Sequence, residues 1–482
     1  MRKVKKFLIL IFSIIFILIG IIYVTSPLWV RYAIFYVLNR NFGESFKVED
    51  VRYVFPDKIQ IAKLELGNFA SFSNVSLSIG DAIKLSPITL ELIKPKIIII
   101  HDEKGEWKFP EIPGIGKSGT SSQNISIELK GKIKDGIFVI RDLKLKKDIE
   151  INKVNGDLSY KNQVVNYNVA TILEDGQNIK AYGYYNFSKL SGDLTFEFKN
   201  TNATIWAPIF LPDMFKVEKG TFSGWFNTKG DKDKWSYSGE IDAKDIKGSI
   251  SGVPGIIENV YIKVKINNEN ISIVQGNGVW FEALVNFSGK VAPNPDIQIS
   301  FNNLNGEEID KEFLNSALKL KGRGEGNLNI KNSWDKPWIS GVVYIKDGTI
   351  YDIKFDNISL NLDAKIPGFL VTFTGDLEIG KASGNMNYDL EKNDGKFYLS
   401  GENVRLDKIS KLFNLPDIEG NGSLEVKGNK EAGKGWRVFV NGVIENGKMG
   451  DYSAEKIIFS LENEEGSLNF DLLKNSGFFL KS

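Results

Sequence analysis

Most of the chain after Phe46 consists of short runs in which apolar and polar residues alternate with a period of two. Roughly 28 to 30 such runs follow one another, separated by Gly, Asn or Asp. The run IENVYIKVKI, residues 257–266, is one example. Successive side chains of a strand point to opposite faces of a sheet, so this alternation predicts a mainly β protein whose sheet has one apolar and one polar face.

Gly-containing pairs within this pattern are interpreted as tight turns. They include Lys247-Gly248, Asp347-Gly348 and Asn446-Gly447. On this interpretation the stretch 340–364 contains three short strands, and GRGEG, residues 322–326, is the bend of a hairpin.

A repeat of about 100 residues is visible when the chain is aligned with itself. Equivalent segments open at Gly220, Gly322 and Gly420, and a Trp follows in each, at Trp235, Trp338 and Trp436. A short segment with helical character precedes each opening glycine: TNATIWAPIFLPDMF, EEIDKEFLNSALKL and LDKISKLF. We therefore expect three related units with a few short helices at their junctions.

The N-terminus carries a second clear signal. Four basic residues precede an uncharged run from Phe7 to Val24, which has about the length that spans a bilayer core. We predict an uncleaved transmembrane anchor with a cytoplasmic N-terminus; a cleaved signal peptide is the alternative, but no small-x-small site follows the run. The predicted anchor residues include Phe7, Leu8, Ile9, Ile14, Phe16, Ile21 and Val24.

The segment after the anchor is mostly apolar and aromatic. Trp29, Tyr32 and Tyr36 are predicted to lie at the outer membrane interface, on a helix that ends near Gly43. The domain organisation predicted from these patterns is a cytoplasmic stub 1–6, an anchor 7–24, an interfacial helix 25–43, an N-terminal β segment 44–113, a flexible loop 114–124 and a repeating β region 125–482.

Composition excludes several kinds of chemistry. The net charge is +1, so nucleic acid is not an expected partner, and the absence of cysteine rules out thiolate metal sites and disulfides. The single histidine, His101, is interpreted as a surface or capping residue, and paired acids such as Glu307-Glu308 as solvated positions. We expect no metal, no cofactor and no enzymatic activity.

The apolar face of such a sheet needs a cover. Soluble proteins seldom expose contiguous apolar patches beyond roughly 300 to 600 Å². The repeats either close into tandem β-sandwiches or form one long, twisted, open antiparallel sheet that curls into a groove filled by foreign hydrocarbon. The scarcity of linkers between the repeats favours the groove.

Twelve side chains are predicted to line this groove. They are Leu194, Phe196, Phe198, Val260, Ile262, Val264, Ile266, Ile358, Leu360, Leu362, Ile457 and Phe459.

The first 113 residues contain an ordered set of motifs. A Leu-x-x-x-x-Gly helix end at Leu38–Gly43 precedes Phe55-Pro56, a Pro-x-apolar strand from Pro95, and an acidic Gly-x-Trp turn that ends at Trp107. In this order the motifs resemble the start of bacterial AsmA-like and TamB-like envelope proteins. The resemblance implies a repeating β-groove anchored in the inner membrane of a diderm bacterium, with its body in the periplasm, that acts as a bridge for glycerophospholipids.

The sequence and the resemblance together predict a conduit for membrane phospholipids toward the outer membrane. The C-terminal edge of the sheet is expected to meet an outer-membrane β-barrel or a further groove-forming chain. Two other hypotheses stay open: an assembly factor for outer-membrane β-proteins, which would pair strands through an exposed edge, and a tandem-sandwich surface protein.

Overall fold

A computed structural model describes residues 28, 32, 33, 35, 36, 46–54, 58–67, 70–78, 88–103, 107–108, 128–172, 176–186, 188–211, 215–232, 234–251, 253–314, 316, 319–407, 418–449, 452–464 and 467–473. The described chain is mainly β, and the two helices whose bounds are described are short. It divides into two compact units. Unit 1 comprises Met1–Leu211 and Thr221–Ile241, and unit 2 comprises Pro212–Gly220 and Asp242–Ser482.

The described part of unit 1 contains ten complete strands, helix α1, Ala203–Phe210, and helical residues at 28, 32, 33, 35 and 36. The strands are β1 Phe46–Val54, β2 Lys58–Leu66, β3 Ala70–Ser78, β4 Ile88–His101, β5 Trp107–Lys108, β6 Leu129–Asp142, β7 Lys147–Lys161, β8 Val164–Ile172, β9 Asn178–Asn186 and β10 Ser191–Asn202. The division between the units runs across β11 Phe215–Asp231 and β12 Lys234–Ile250.

Unit 2 contains the remaining strands and helix α2, Gly306–Leu314. The strands are β13 Val253–Asn267, β14 Asn270–Trp280, β15 Ala283–Ala292, β16 Asp296–Asn305, β17 Lys321–Asn332, β18 Pro337–Ile350, β19 Ile353–Lys365, β20 Gly368–Leu377, β21 Gly380–Asp389, β22 Asp394–Arg405, β23 Ile418–Lys430, β24 Trp436–Met449, β25 Tyr452–Glu464 and β26 Ser467–Leu473.

Within each unit, described strands pair with their neighbours in chain order, and the pairing is antiparallel almost throughout. One exception lies in unit 1, where β4 pairs with β6 in parallel, from Ile88 opposite Leu129 to His101 opposite Asp142. The segment predicted as a flexible loop lies between these two strands and outside the described residues. The N-terminal β segment and the first strand after that loop therefore belong to the same compact unit.

The predicted turns at Lys247-Gly248, Asp347-Gly348 and Asn446-Gly447 are wrong. All three pairs lie inside continuous strands, β12, β18 and β24. Asp347 has a φ of 49°, and the ladder continues past it, with Lys346 opposite Asn357 and Gly348 opposite Phe355. The register shifts here against β17, where Lys321 lies opposite Thr349 and Arg323 opposite Lys346, so the left-handed residue makes a bulge and not a turn. The stretch 340–364 therefore contains two strands. Likewise GRGEG lies within β17 and not at a bend.

The predicted repeat is visible in the backbone. A left-handed asparagine recurs at Asn200, Asn303 and Asn403, each at a bulge near the end of a strand. The predicted helical segments follow these bulges: α1 and α2 are confirmed, and residues 406–407 are helical where the third segment begins. Side-chain oxygens of asparagine cap both helices, because Asn202 accepts from the Thr204 N–H at 2.9 Å and Asn305 from the Glu307 N–H at 3.0 Å.

The opening glycines also share one conformation. Gly220, Gly322 and Gly420 have φ values of 131°, 135° and 132°. A Cβ on Gly322 would lie 3.1 Å from Ile345 Cγ2, and one on Gly420 would lie 2.7 Å from Ile444 Cγ2. Both the left-handed backbone and the close side chain explain why this position of the repeat is glycine.

The predicted open antiparallel sheet with few helices is thus confirmed. Within unit 2, consecutive pairing runs from β13 to β26 through two repeats, whereas tandem sandwiches would divide each repeat between two separate sheets. The predicted anchor 7–24 and stub 1–6 lie outside the described residues. Among the described residues there is no helix with the length and apolar character needed to span a membrane.

Candidate functional site

The apolar face of unit 2 is built by cross-strand register. Leu360 on β19 lies opposite Val343 on β18 and Phe373 on β20, and paired residues of adjacent strands share a face. The same register extends the face strand by strand in both directions. From β13 to β25 it includes Ile262, Val264, Ile266, Ile273, Phe287, Ile299, Phe301, Leu328, Ile330, Val343, Ile345, Ile358, Leu360, Leu362, Phe373, Met386, Phe397, Leu399, Val426, Val440, Ile444 and Ile457.

The sequence-predicted lining residues of unit 2 lie on this face. Val260 and Ile358 are buried, each 6% exposed. The half-buried ones are Ile262, Val264, Ile266, Leu360, Leu362 and Ile457. Phe459 lies on β25 opposite Gly442, and its side chain is outside the described part of the chain. Half-burial of so many apolar side chains means that the protein itself covers this face incompletely.

Unit 1 has an apolar face of its own. Leu194, Phe196 and Phe198 are half-buried on β10, and the rings of Phe196 and Phe198 stack with their centroids 6.3 Å apart. Tyr167 on β8 lies on the same face, opposite Gly183, which itself pairs with Leu194. Burial raises the pKa of Tyr167 to about 12, and the negative charge of Asp193 adds to this effect.

Large rings on the unit 2 face lie over glycines of an adjacent strand. Phe287 pairs with Gly276 and Phe373 with Gly384. A Cβ on Gly384 would come 2.6 Å from Phe373 Cε1, and the other ring would overlap a Cβ on its glycine. The rings therefore occupy the space that a second row of side chains would fill.

One end of the unit 2 face is closed by small buried clusters. One cluster contains Leu320, Phe355 and Ile358, and the second contains Val404, Leu406 and Ile444. Each lies beside a helical segment of the repeat, and Ile444 is 0% exposed. We call this the helix end of the face.

The opposite end lies beside the loops 366–367, 390–393 and 431–435, and we call it the turn end. It carries aromatic side chains: Phe369 and Tyr388 have centroids 5.6 Å apart, and Phe397 and Trp436 5.2 Å apart. Lys430, the last residue of β23, lies among them opposite Gly395 and Trp436. Sequence reasoning missed this group, although a lysine that continues the apolar positions of β23 is a visible departure from the pattern.

The other face of unit 2 is polar. Ser383 and Ser400 are hydrogen-bonded at 3.0 Å, Tyr398 donates to Glu425 at 3.2 Å, and Lys427 Nζ lies 3.3 Å from Glu425. These groups satisfy one another while remaining exposed, as expected of a face in water.

A buried His–Asp pair of unit 1 lies where β4 and β6 end. His101 Nδ1 is 2.8 Å from an Asp142 carboxylate oxygen, and the Leu145 N–H donates to the same carboxylate at 2.7 Å. His101 is only 6% exposed, so its interpretation as a surface residue is wrong, while its position at a strand end is as predicted. No cluster of three or more His, Asp or Glu side chains among the described residues has a geometry that would hold a metal ion.

The predicted interfacial residues are described in part. Tyr32 and Tyr36 are helical and exposed. Trp29 and the anchor residues Phe7, Leu8, Ile9, Ile14, Phe16, Ile21 and Val24 lie outside the described residues.

Fold and site together define a class of protein in which an open antiparallel sheet presents an extended, incompletely covered apolar face. Comparison with protein-family models, with curated proteins and with solved structures found no match to this chain. The resemblance to AsmA-like proteins therefore stays a prediction from the motifs.

Proposed function

We propose that this chain is an inner-membrane-anchored conduit that moves glycerophospholipids across the periplasm toward the outer membrane. The observation that supports the proposal is the continuous row of apolar side chains from β13 to β25 in unit 2, most of which are only half-buried. Acyl chains on this face would remove apolar surface from water at about 25 cal/mol per Å². The sheet would curl around them as a groove, and headgroups would stay at the wet opening.

The polar back of the sheet fits this role. A face made of Ser383, Ser400, Tyr398 and Glu425 with their hydrogen bonds needs no cover, so the hydrocarbon is confined to the other side. Transfer along such a face requires no catalytic residue.

Substitution of neighbouring residues on opposite faces tests the proposal. In the full chain, Leu360→Glu places a carboxylate on the apolar face, and Asn361→Glu places the same group on the exposed polar face one residue away. Mass spectrometry of organic extracts should find stoichiometric phospholipid with the wild type and with Asn361→Glu, and much less with Leu360→Glu. A wild-type protein that carries no phospholipid, or equal loading of both variants, would contradict the proposal.

We propose that the partner at the far end docks on β26. Among the described strands β26 pairs only with β25, and a partner strand would add to its other edge. A photocrosslinker at Asn469 in cells should form an adduct with an outer-membrane β-barrel or a further groove-forming chain. Absence of any adduct there, with efficient photoactivation, would oppose a partner at this edge.

A further inference from the structure

The turn end of the unit 2 face contains a cation whose charge is not neutralised. Lys430 Nζ donates to the Asn393 side-chain oxygen at 2.8 Å and to the Tyr388 hydroxyl at 3.2 Å. Both acceptors are uncharged. Among the described residues the Lys430 ammonium forms no ion pair, whereas Lys427, three residues earlier on the polar face, lies 3.3 Å from Glu425.

Aromatic rings frame this ammonium. It lies 5.5 Å from the centroid of the Tyr388 ring, and the rings of Tyr388 and Trp436 are 6.3 Å apart. Phe397 packs on Trp436, with the ring centroids 5.2 Å apart. Lys430 is half-buried at the point where the apolar face meets the loops, and the π face of Tyr388 favours its positive charge.

The two ends of the face differ in a way that suits an amphiphile. The helix end is closed by the buried apolar cluster of Val404, Leu406 and Ile444. The turn end has an uncompensated cation and hydrogen-bonding oxygens beside rings. A molecule with a hydrocarbon tail and an anionic head would place its tail toward the helix end and its head at the turn end.

We propose that Lys430, with Tyr388, Asn393 and Trp436, forms a site for the phosphate of an amphiphile whose acyl chains lie on the unit 2 face. This inference rests on the proposed function, because it assumes that hydrocarbon occupies the face. It adds the position of the head group and the residues that bind it: the phosphate ester lies at the turn end of β21–β24. The ammonium supplies charge-assisted hydrogen bonds to the phosphate oxygens, and Trp436 supplies an amphipathic ring at the boundary between head and tail.

Lipid competition tests the assignment. The full chain in neutral detergent is equilibrated with an equimolar mixture of phosphatidylglycerol and diacylglycerol with the same acyl chains, and native mass spectrometry gives the ratio of the two bound. The wild type should prefer the phosphate-bearing lipid. Lys430→Gln should reduce that preference by about threefold to tenfold, the size expected for loss of a partly exposed charge-assisted contact.

Three further measurements make the result specific. Lys427→Gln on the polar face should leave the preference unchanged, Lys430→Arg should retain it, and circular dichroism should show that Lys430→Gln keeps its strands. An unchanged preference in Lys430→Gln while total lipid is still bound would overturn the site and leave the proposed function standing. A wild type that binds neither lipid would instead remove the proposed function and the site with it.

A competition with inorganic phosphate distinguishes a lipid head from the free anion. Excess phosphate should leave the wild-type lipid ratio unchanged, because a free anion has no acyl chains to hold it at the face. A ratio that falls to the level of Lys430→Gln would show a site for free phosphate and would overturn the assignment to a lipid head.

Discussion

The ring of Phe373 on β20 lies over Gly384 on β21, so that a Cβ on Gly384 would come 2.6 Å from Phe373 Cε1. This contact makes the glycine part of the apolar face. It also shows that the position is restricted by size, because its neighbours are a ring and the backbone of Tyr398.

Gly384→Ala should therefore destabilise the sheet. A methyl group must displace the ring or the adjacent strand, which costs about 1–3 kcal/mol in a packed site. Gly435→Ala is the matched control, because open space surrounds that glycine and the change should stay within about 0.5 kcal/mol. Urea unfolding of the two variants gives the comparison, and equal stabilities would contradict the packing described for Phe373.

Ile444→Ala should be among the most costly truncations of unit 2. The side chain is 0% exposed and lies in the cluster with Val404 and Leu406, so truncation leaves a cavity and should cost about 2–5 kcal/mol. Leu390→Ala at an exposed turn serves as the control, because this leucine is 54% exposed. Thermal unfolding followed by circular dichroism measures both; a small loss for Ile444→Ala would mean that the helix end is not a packed cluster.

The Asp142 carboxylate should make the free energy of unfolding depend on pH in the acidic range. Burial by itself raises the pKa of Asp142, but the hydrogen bonds from the Leu145 N–H and from His101 outweigh it, so the pKa lies below the ordinary value. A carboxyl whose pKa is lower in the folded chain than in the unfolded chain stabilises the fold. Its full contribution to the free energy of unfolding is present above the unfolded pKa of about 3.9, and it is lost as pH falls through the pKa of the folded chain.

Asp142→Asn tests that dependence. The variant should be less stable than the wild type at neutral pH by about 1–3 kcal/mol, because the buried hydrogen bonds lose their charged acceptor. Its free energy of unfolding should also fall less steeply than that of the wild type below about pH 4. Parallel acid dependence of the two proteins, measured by urea unfolding from pH 7 downward, would show that another carboxyl is responsible.

Asn202→Ala should weaken α1. The side chain of Asn202 accepts from the Thr204 N–H and from the Thr204 hydroxyl, and loss of such a cap costs about 1 kcal/mol. Asn202→Asp keeps an acceptor at the helix N-terminus and should retain most of the stability. Hydrogen exchange of the α1 amides distinguishes the variants, and equal protection in Asn202→Ala would contradict a role for the cap.

Much of the sheet could be predicted because alternation is a local property. The residues of 257–266 and 353–365 alternate in sequence and do present their apolar members to one face. The repeat was also visible, because the same backbone requirement recurs at Gly220, Gly322 and Gly420.

The remaining features depend on contacts between strands. Asp347-Gly348 has the sequence of a hairpin turn, yet the ladder between β18 and β19 continues past it, and only the partner strand decides between the two. The parallel pairing of β4 with β6 follows a long connection whose path no local pattern specifies.

Face assignment shows the same limit for the repeated tryptophans. Trp436 lies on the apolar face with Phe397, whereas Trp338 lies on the polar face, where it donates to Asp363 at 2.6 Å. Each tryptophan is followed by a glycine of the repeat, Trp436 by Gly442 and Trp338 by Gly341, and the two separations differ by an odd number of residues. Because successive side chains of a strand point to opposite faces, this odd difference places the two tryptophans on opposite faces. The Lys430 group was missed for a related reason, because its members come from three strands and a loop.

Between the left-handed Asn303 and Asn403 the chain passes through β17 to β22, which is an even number of strands. Since neighbours alternate in direction, β16 and β22 run the same way, and α2 and the helical residues 406–407 arrive at the same end. Gain or loss of a single strand would reverse every later strand and carry the next helical segment to the opposite end, among the aromatic side chains. A sheet of this kind can therefore lengthen or shorten only by whole hairpins.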